Sequence, residues 1–156
     1  MQIVEKPAMF VIGIPVKAQW DDLWIDMPAA WRSLWERRDL IRHRVGDRAM
    51  DVSLEKRDGV YHQLAGVEVS RIDSVPQGML GVEIPAQRYI HLRHEGPLPD
   101  IALSFGMIYK WAKENGHATD AFKLDIGYRP GGDDPEHDLF VRLAPGTPWR
   151  TVRPRR

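Results

Sequence analysis

The chain has 156 residues, no cysteine, and 22 acidic against 22 basic side chains, so its formal net charge is zero. This balance argues against a nucleic-acid-binding protein, because such proteins need a concentrated basic surface. Disulfides, thiol nucleophiles and cysteine-based metal sites are excluded, and the length favours one domain with a substantial buried core.

The first half of the chain predicts a strand, a helix and two further strands. Residues 9–16 are apolar and rich in β-branched side chains, which is typical of a buried strand. Apolar residues then recur near helical spacing, with Pro28 at a suitable start and Gly46 at a suitable stop, and predict the helix. Strands are predicted over residues 49–56 and 61–72, joined by an Asp-Gly turn.

The second half repeats this order after a joint at residues 74–78. Residues 81–93 are predicted to be extended, with a proline that marks an edge or a bulge. An apolar stripe at helical spacing predicts a helix over residues 98–116, which ends at a glycine. Strands over residues 121–129 and 137–143 complete the repeat.

The remaining segments are predicted to be irregular. Residues 130–136 favour a polar turn, and residues 146–156 favour a basic tail with a frayed end. The N-terminus lacks a secretory pattern, and no apolar stretch approaches the ~20 residues that cross a bilayer. We therefore expect a cytoplasmic protein.

Several short motifs point to a known family by their order and spacing. They are YHQLAGVEV at 61–69, IPAQRY at 84–89, HEGP at 94–97, IYKW at 108–111 and DLFVRL at 138–143. Together they resemble the GyrI-like family of small-molecule-binding domains. Relatives in this family include the effector-binding domains attached to AraC- and MerR-type bacterial regulators.

The resemblance implies an α+β fold and the place of a ligand site. Two β-α-β-β modules, at about residues 5–73 and 78–143 of a single domain over 1–145, would form a curved antiparallel sheet. The modules would be related by pseudo-two-fold symmetry, with the helices on one side and an aromatic ligand cleft between the modules. No helix-turn-helix segment precedes the first strand, so we expect a stand-alone domain rather than a transcription factor.

The strand after the second helix departs from the family pattern. The family often has Glu-x-Tyr there, whereas this chain reads LDIGY over 124–128. Asp125 aligns with the glutamate, but Gly127 then takes the tyrosine position and Tyr128 is displaced by one residue. The shorter carboxylate and the missing aromatic put the usual ligand preference in question.

Two carboxylates and six aromatic residues are the candidate ligand contacts. The apolar face of residues 122–128 is expected to cover the helices, so Asp125 would face the cleft or solvent. Glu68 lies next to Gly66, which leaves room for another group to approach. Aromatic rings suit planar or cationic ligands through stacking and cation–π contacts. The candidates are Glu68, Asp125, Tyr61, Tyr89, Phe105, Tyr109, Trp111 and Trp35. Each carboxylate could instead be a solvated sheet residue, and each ring could instead be part of the core.

Three functions are compatible with these residues. The leading hypothesis is a protein that holds an aromatic or cationic drug-like compound or metabolite between the modules. The second, implied by stand-alone members of the family, is a hydrolase of strained, cyclopropane-bearing toxins, with Glu68 and Tyr109 as candidate catalytic residues. The third is a protein-interaction module such as a gyrase inhibitor. We expect no cofactor, metal, nucleic-acid or membrane partner; the ligand's identity and the oligomeric state stay open.

Overall fold

One antiparallel sheet and two helices make up the computed structural model, which describes residues 1–131 and 135–154. The strands are β1 (Gln2–Lys6), β2 (Met9–Gln19), β3 (Arg44–Arg57), β4 (Val60–Val69), β5 (Leu80–Ile84), β6 (Gln87–Glu95), β7 (Thr119–Tyr128), β8 (Glu136–Leu143) and β9 (Arg150–Thr151). The helices are α1 (Trp20–Arg37) and α2 (Ile101–Glu114). Within the described residues the strand order is β1-β6-β8-β7-β3-β4-β2-β5-β9. Neither helix is both long and apolar enough to cross a bilayer.

The order of elements confirms the predicted α+β fold. The unit β2-α1-β3-β4 is followed by a second unit, β6-α2-β7-β8, and β3 pairs with β7 in the middle of the sheet. Helix α1 packs mainly on β2 and β4, and α2 packs on β6 and β8. The central strands β3 and β7 therefore lie between the two helices, and this arrangement positions the site described below.

The two faces of the sheet bury separate cores. On the helix-bearing face, Leu34 of α1 packs near Ile12 and Val67, and Ile108 of α2 packs near Leu139. The opposite face curls around a core to which no helix contributes. This helix-free core consists of Met9, Val11, Met50, Val52, Leu54, Leu64, Val82, Ile84, Tyr89, Phe122, Leu124 and Phe140.

This second core overturns one expectation about β7. Its apolar residues Phe122 and Leu124 lie in the helix-free core rather than beneath the helices. Because side chains alternate along a strand, Lys123 and Asp125 then face the helices. The prediction was wrong because the curled sheet buries apolar side chains on both faces.

Helix α1 occupies a different segment from the one predicted. It spans Trp20–Arg37, with Pro28 inside it, instead of residues 28–46. Asp21 and Asp22 lie in its first turn, where carboxylates interact favourably with the positive end of the helix dipole. A short 3₁₀ turn then ends the helix, and Gly46 belongs to β3.

The sheet also extends further than predicted at both edges. Residues 81–93 are divided into β5, which pairs with β2, and β6, which pairs with β8. The unpredicted strand β1 pairs with β6. The frayed end does not hold for Arg150 and Thr151, because they pair with β5 as β9 while Trp149 packs on the helix-free core. Residues 132–134 of the predicted turn and 155–156 of the tail lie outside the described residues.

A β-bulge in β7 sets the direction of its last side chain. Met50 of β3 pairs with Ile126, and the preceding residue Ala49 pairs with Tyr128, so Gly127 is the extra residue between them. An extra residue of this kind interrupts the strict alternation of the strand. Tyr128 consequently points to the helix-bearing face, together with the polar residues of β7.

The bulge predicts that Gly127 tolerates no side chain. A Cβ at Gly127 would lie 2.6 Å from the ring of the fully buried His137. We expect Gly127→Ala to lower the free energy of unfolding by about 1–3 kcal/mol through overpacking, measured by urea denaturation. The matched control is Gly106→Ala in α2, where an added Cβ meets nothing within 4 Å. That change should raise stability by about 0.5–1 kcal/mol, and equal effects at the two glycines would contradict the prediction.

Candidate functional site

A cleft of about 730 Å³ lies between α1 and α2, above the central strands. This volume is within the range of pockets that hold drug-sized ligands. One wall is formed from α1 by Trp20, Leu23, Trp24 and Met27, and the other from α2 and the turn before it by Leu98, Pro99, Ile101, Ala102, Phe105, Gly106 and Tyr109. The floor is formed from β3, β4 and β7 by Asp51, Ser53, Tyr61, Gln63, Lys123, Asp125 and Tyr128.

Helical spacing explains the apolar walls. The α1 residues at positions 20, 23, 24 and 27, and the α2 residues at 102, 105, 106 and 109, each form one face of their helix. Trp24 is 74% exposed although it is a large apolar ring, and the Trp20 ring lies 5.6 Å from that of Tyr61. Exposed rings beside a concave surface are typical of an interaction site rather than of a closed core.

Asp125 is the buried carboxylate of the floor, with only 5% of its surface exposed. Tyr128 Oη donates a 2.6 Å hydrogen bond to Oδ2, and His137 Nδ1 donates one of the same length to Oδ1. His137 is fully buried, and its Nε2 has no hydrogen-bond partner among the described residues. Because both oxygens are held, the orientation of the Asp125 carboxylate is set by the protein before any ligand arrives.

Asp51 is a second carboxylate in the same floor. It is the direct cross-strand partner of Asp125 in the pairing of β3 with β7. Gln63 Nε2 donates a 3.1 Å hydrogen bond to Asp51 Oδ1 and a 2.8 Å bond to Ser53 Oγ. Burial, together with the negative charge of Asp125, raises the pKa of Asp51 to about 7.

A cation of the protein itself occupies the aromatic side of the cleft. Lys123 Nζ lies 5.1 Å from the centroid of the Phe105 ring and 5.9 Å from that of Tyr109. Burial lowers the pKa of Lys123, and the negative charge of Asp51 counteracts this effect. The α2 wall therefore already holds a cation over aromatic faces, which is the geometry of a cation–π contact.

Four of the eight predicted ligand contacts line this cleft: Asp125, Tyr61, Phe105 and Tyr109. The other four lie elsewhere. Tyr89 is 1% exposed within the helix-free core. Trp35 stacks on Trp31 against the core under α1, and Trp111 stacks on His117 at 5.5 Å.

Glu68 lies on the other side of the sheet from the cleft. Its neighbours Val67 and Val69 pack in the core under α1, so alternation directs Glu68 to the helix-free face. The sheet thus separates Glu68 from Tyr109, the two candidate catalytic residues. Burial and the negative charge of Asp120 raise the pKa of Tyr109 to about 12, so its phenol stays protonated at neutral pH.

Asp51 and Lys123 line the cleft but are not among the ligand contacts predicted from the sequence. A signal for Asp51 is present in the alternation of β3, where Asp51 and Ser53 alternate with Met50, Val52 and Leu54. The same polar and apolar alternation occurs in β7, the corresponding strand of the second unit. Comparison of these two strands would have indicated that both turn their polar sides to the same cleft.

The curved antiparallel sheet with two helices on one face is the architecture of GyrI-like α+β domains, the class to which the sequence motifs pointed. Residues 2–140 match the Cass2 family, described as integron-associated effector binding protein. The chain belongs to this family.

Individual relatives agree with this assignment. The transcriptional regulator BrlR of Pseudomonas aeruginosa is 32% identical over 115 residues, which cover 69% of this chain and 40% of that protein, so the chain spans less than half of the regulator. The structure of SAV2435 bound to tetraphenylphosphonium superposes with a TM-score of 0.72 at 11% identity, covering 92% of this chain and 93% of that chain. The integron cassette protein VCH_CASS2 of Vibrio cholerae has a TM-score of 0.58 at 13% identity, with coverages of 91% and 94%. At 11% and 13% identity, these two solved structures show that the fold is shared and nothing beyond it.

The raised pKa of Asp51 predicts a pH-dependent loss of stability. In the unfolded chain this carboxyl ionises with the ordinary aspartate pKa of 3.8, whereas the folded protein retains the proton up to about pH 7. The folded state binds more protons between these values, so the free energy of unfolding falls as pH rises through this window. The Asp51→Asn variant should match the wild type near pH 4 and exceed its free energy of unfolding at pH 8 by on the order of 4 kcal/mol.

Urea denaturation of both proteins between pH 4 and 8 measures this difference. The exposed turn residue Asp58 offers a matched control, because Asp58→Asn makes the same chemical change at a site outside the cleft lining. A difference between wild type and Asp51→Asn that stays constant with pH would contradict the assigned ionisation.

Proposed function

We propose that this chain binds a hydrophobic organic cation in the cleft between α1 and α2. The observation that carries the proposal is the Asp125 carboxylate, buried and held by two hydrogen bonds at the base of two apolar walls. A buried negative charge is unfavourable even when it is hydrogen-bonded, so a cation that enters the cleft gains electrostatic attraction while its apolar surface leaves water.

The walls supply the second part of the recognition. Trp20 and Trp24 on one side and Phe105 and Tyr109 on the other present aromatic rings to the same space. A cation over such a ring gains roughly 0.5–2 kcal/mol, depending on how far water is excluded. The neighbour bound to tetraphenylphosphonium supports this class of ligand, and the family's description as effector binding supports ligand binding in general.

A pair of ions with nearly the same shape and opposite charge tests this proposal. We expect tetraphenylphosphonium to bind the wild-type protein at pH 8, and tetraphenylborate to bind at least tenfold more weakly, as measured by isothermal titration calorimetry. Asp125→Asn removes the charge at constant size and should weaken phosphonium binding by roughly tenfold or more, equivalent to about 1.4 kcal/mol or above.

Asp58→Asn is the control for this change and should bind as the wild type does. Thermal unfolding of each variant separates lost binding from lost folding. Equal affinity for the two ions, or no phosphonium binding to a folded wild-type protein, would overturn the proposed function.

Removal of the positive charge of Lys123 is expected to strengthen the binding of a cation. Its ammonium occupies the aromatic surface that a ligand cation would use, and the two positive charges repel each other. Lys123→Met keeps a long side chain without the charge, so we expect phosphonium affinity to rise by roughly tenfold, equivalent to about 1.4 kcal/mol. The exposed Lys113 of α2 lies outside the cleft lining, and Lys113→Met should leave the affinity unchanged. Weaker binding to Lys123→Met would show that Lys123 contacts the ligand favourably.

A further inference from the structure

We propose that Asp51 sets the net charge of the cleft, and that an organic cation binds in exchange for the proton of Asp51. This inference rests on the proposed function, and it assigns a regulatory and specificity-determining role to a second carboxylate. The exchange is balanced: the carboxylic acid and the incoming cation give a carboxylate paired with the bound cation and one proton released to solvent.

The geometry brings the two carboxylates together. Asp51 and Asp125 are direct cross-strand partners, and both line the cleft floor. Residues in such positions have Cβ atoms about 4.5–5.5 Å apart, so two ionised carboxylates there repel each other. The two oxygens of Asp125 already accept bonds from Tyr128 and His137, whereas the described side-chain hydrogen bond of Asp51 comes from the uncharged Gln63. Asp51 is consequently the member of the pair that takes up the proton.

The charges around the pair determine the effect of that proton. Among the residues that the structure describes, the titratable or charged groups that share the cleft with Asp51 are Asp125, Lys123 and Tyr128 from β7, Tyr61 from β4 and Tyr109 from α2, with His137 of β8 behind Asp125. Among the described lining residues, α1 contributes only uncharged side chains. With Asp51 protonated, the charges of Asp125 and Lys123 cancel. With Asp51 ionised, the floor carries one net negative charge.

The titration range of Asp51 makes this exchange relevant near neutral pH. Burial and the charge of Asp125 raise the pKa of Asp51 to about 7, so the net charge of the cleft changes from neutral to negative as the pH rises through neutrality. A bound cation stabilises the ionised carboxylate and therefore lowers that pKa. By linkage, the affinity for the cation must rise with pH through the same range.

Tetraphenylphosphonium is a suitable probe because its own charge does not titrate, so any pH dependence belongs to the protein. We expect roughly tenfold tighter binding at pH 8 than at pH 6, since the ionised fraction of a group with a pKa near 7 changes by about that factor. Calorimetry at pH 6 in two buffers of different ionisation enthalpy should show the release of up to about one proton per bound cation. Asp51→Asn should bind with the same affinity at both pH values and no more tightly than the wild type does at pH 6, whereas Asp58→Asn should retain the wild-type pH dependence.

The outcomes separate this inference from the proposed function. Phosphonium binding that does not change between pH 6 and 8, or that releases no proton at pH 6, overturns the role of Asp51 and leaves cation binding intact. An unchanged pH dependence in Asp51→Asn has the same meaning. Absence of binding to the folded wild-type protein at either pH overturns the proposed function and this inference with it. The wild-type buffer comparison decides the question even if Asp51→Asn does not fold.

Discussion

The antiparallel pairing of β3 with β7 is the contact on which the rest of the structure depends. It joins the two β-α-β-β units, and each helix packs over the outer strands of its own unit. The two central strands are therefore left without a helix above them. This gap is the cleft, and the same pairing places Asp51 opposite Asp125 on its floor.

The helix-free core allows a polar floor to exist in a stable sheet. β3 and β7 bury Met50, Val52, Phe122 and Leu124 in the helix-free core. The two strands are therefore stable without apolar residues on the face that lines the cleft. The buried carboxylate of Asp125 is stabilised instead by hydrogen bonds from His137 and Tyr128. Burial of a second, incompletely compensated carboxylate is unfavourable for folding, and this cost is the physical basis of the cation binding that we propose for the cleft.

The bulge at Gly127 resolves the departure of this chain from the family's Glu-x-Tyr pattern. Strict alternation directs Tyr128 to the apolar face of β7, away from Asp125. The extra residue restores the phenol to the side of the carboxylate, within hydrogen-bonding distance of it. Strand periodicity alone misses this contact, because a bulge depends on the partner strand and on the His137 ring against which Gly127 packs.

The sequence by itself determined the repeated order of strands and helices, because hydrophobic periodicity and turn residues are local signals. Its short motifs carried the resemblance to the family, which implied the α+β class. It also indicated Asp125, Tyr61, Phe105 and Tyr109, which line the cleft. Only the tertiary structure decided which face of each strand meets the helices, since both faces of the curled sheet are buried and apolar alternation does not distinguish them. For that reason Glu68 and Tyr89 lie away from the cleft, while Asp51, brought opposite Asp125 by strand pairing, lies in its floor.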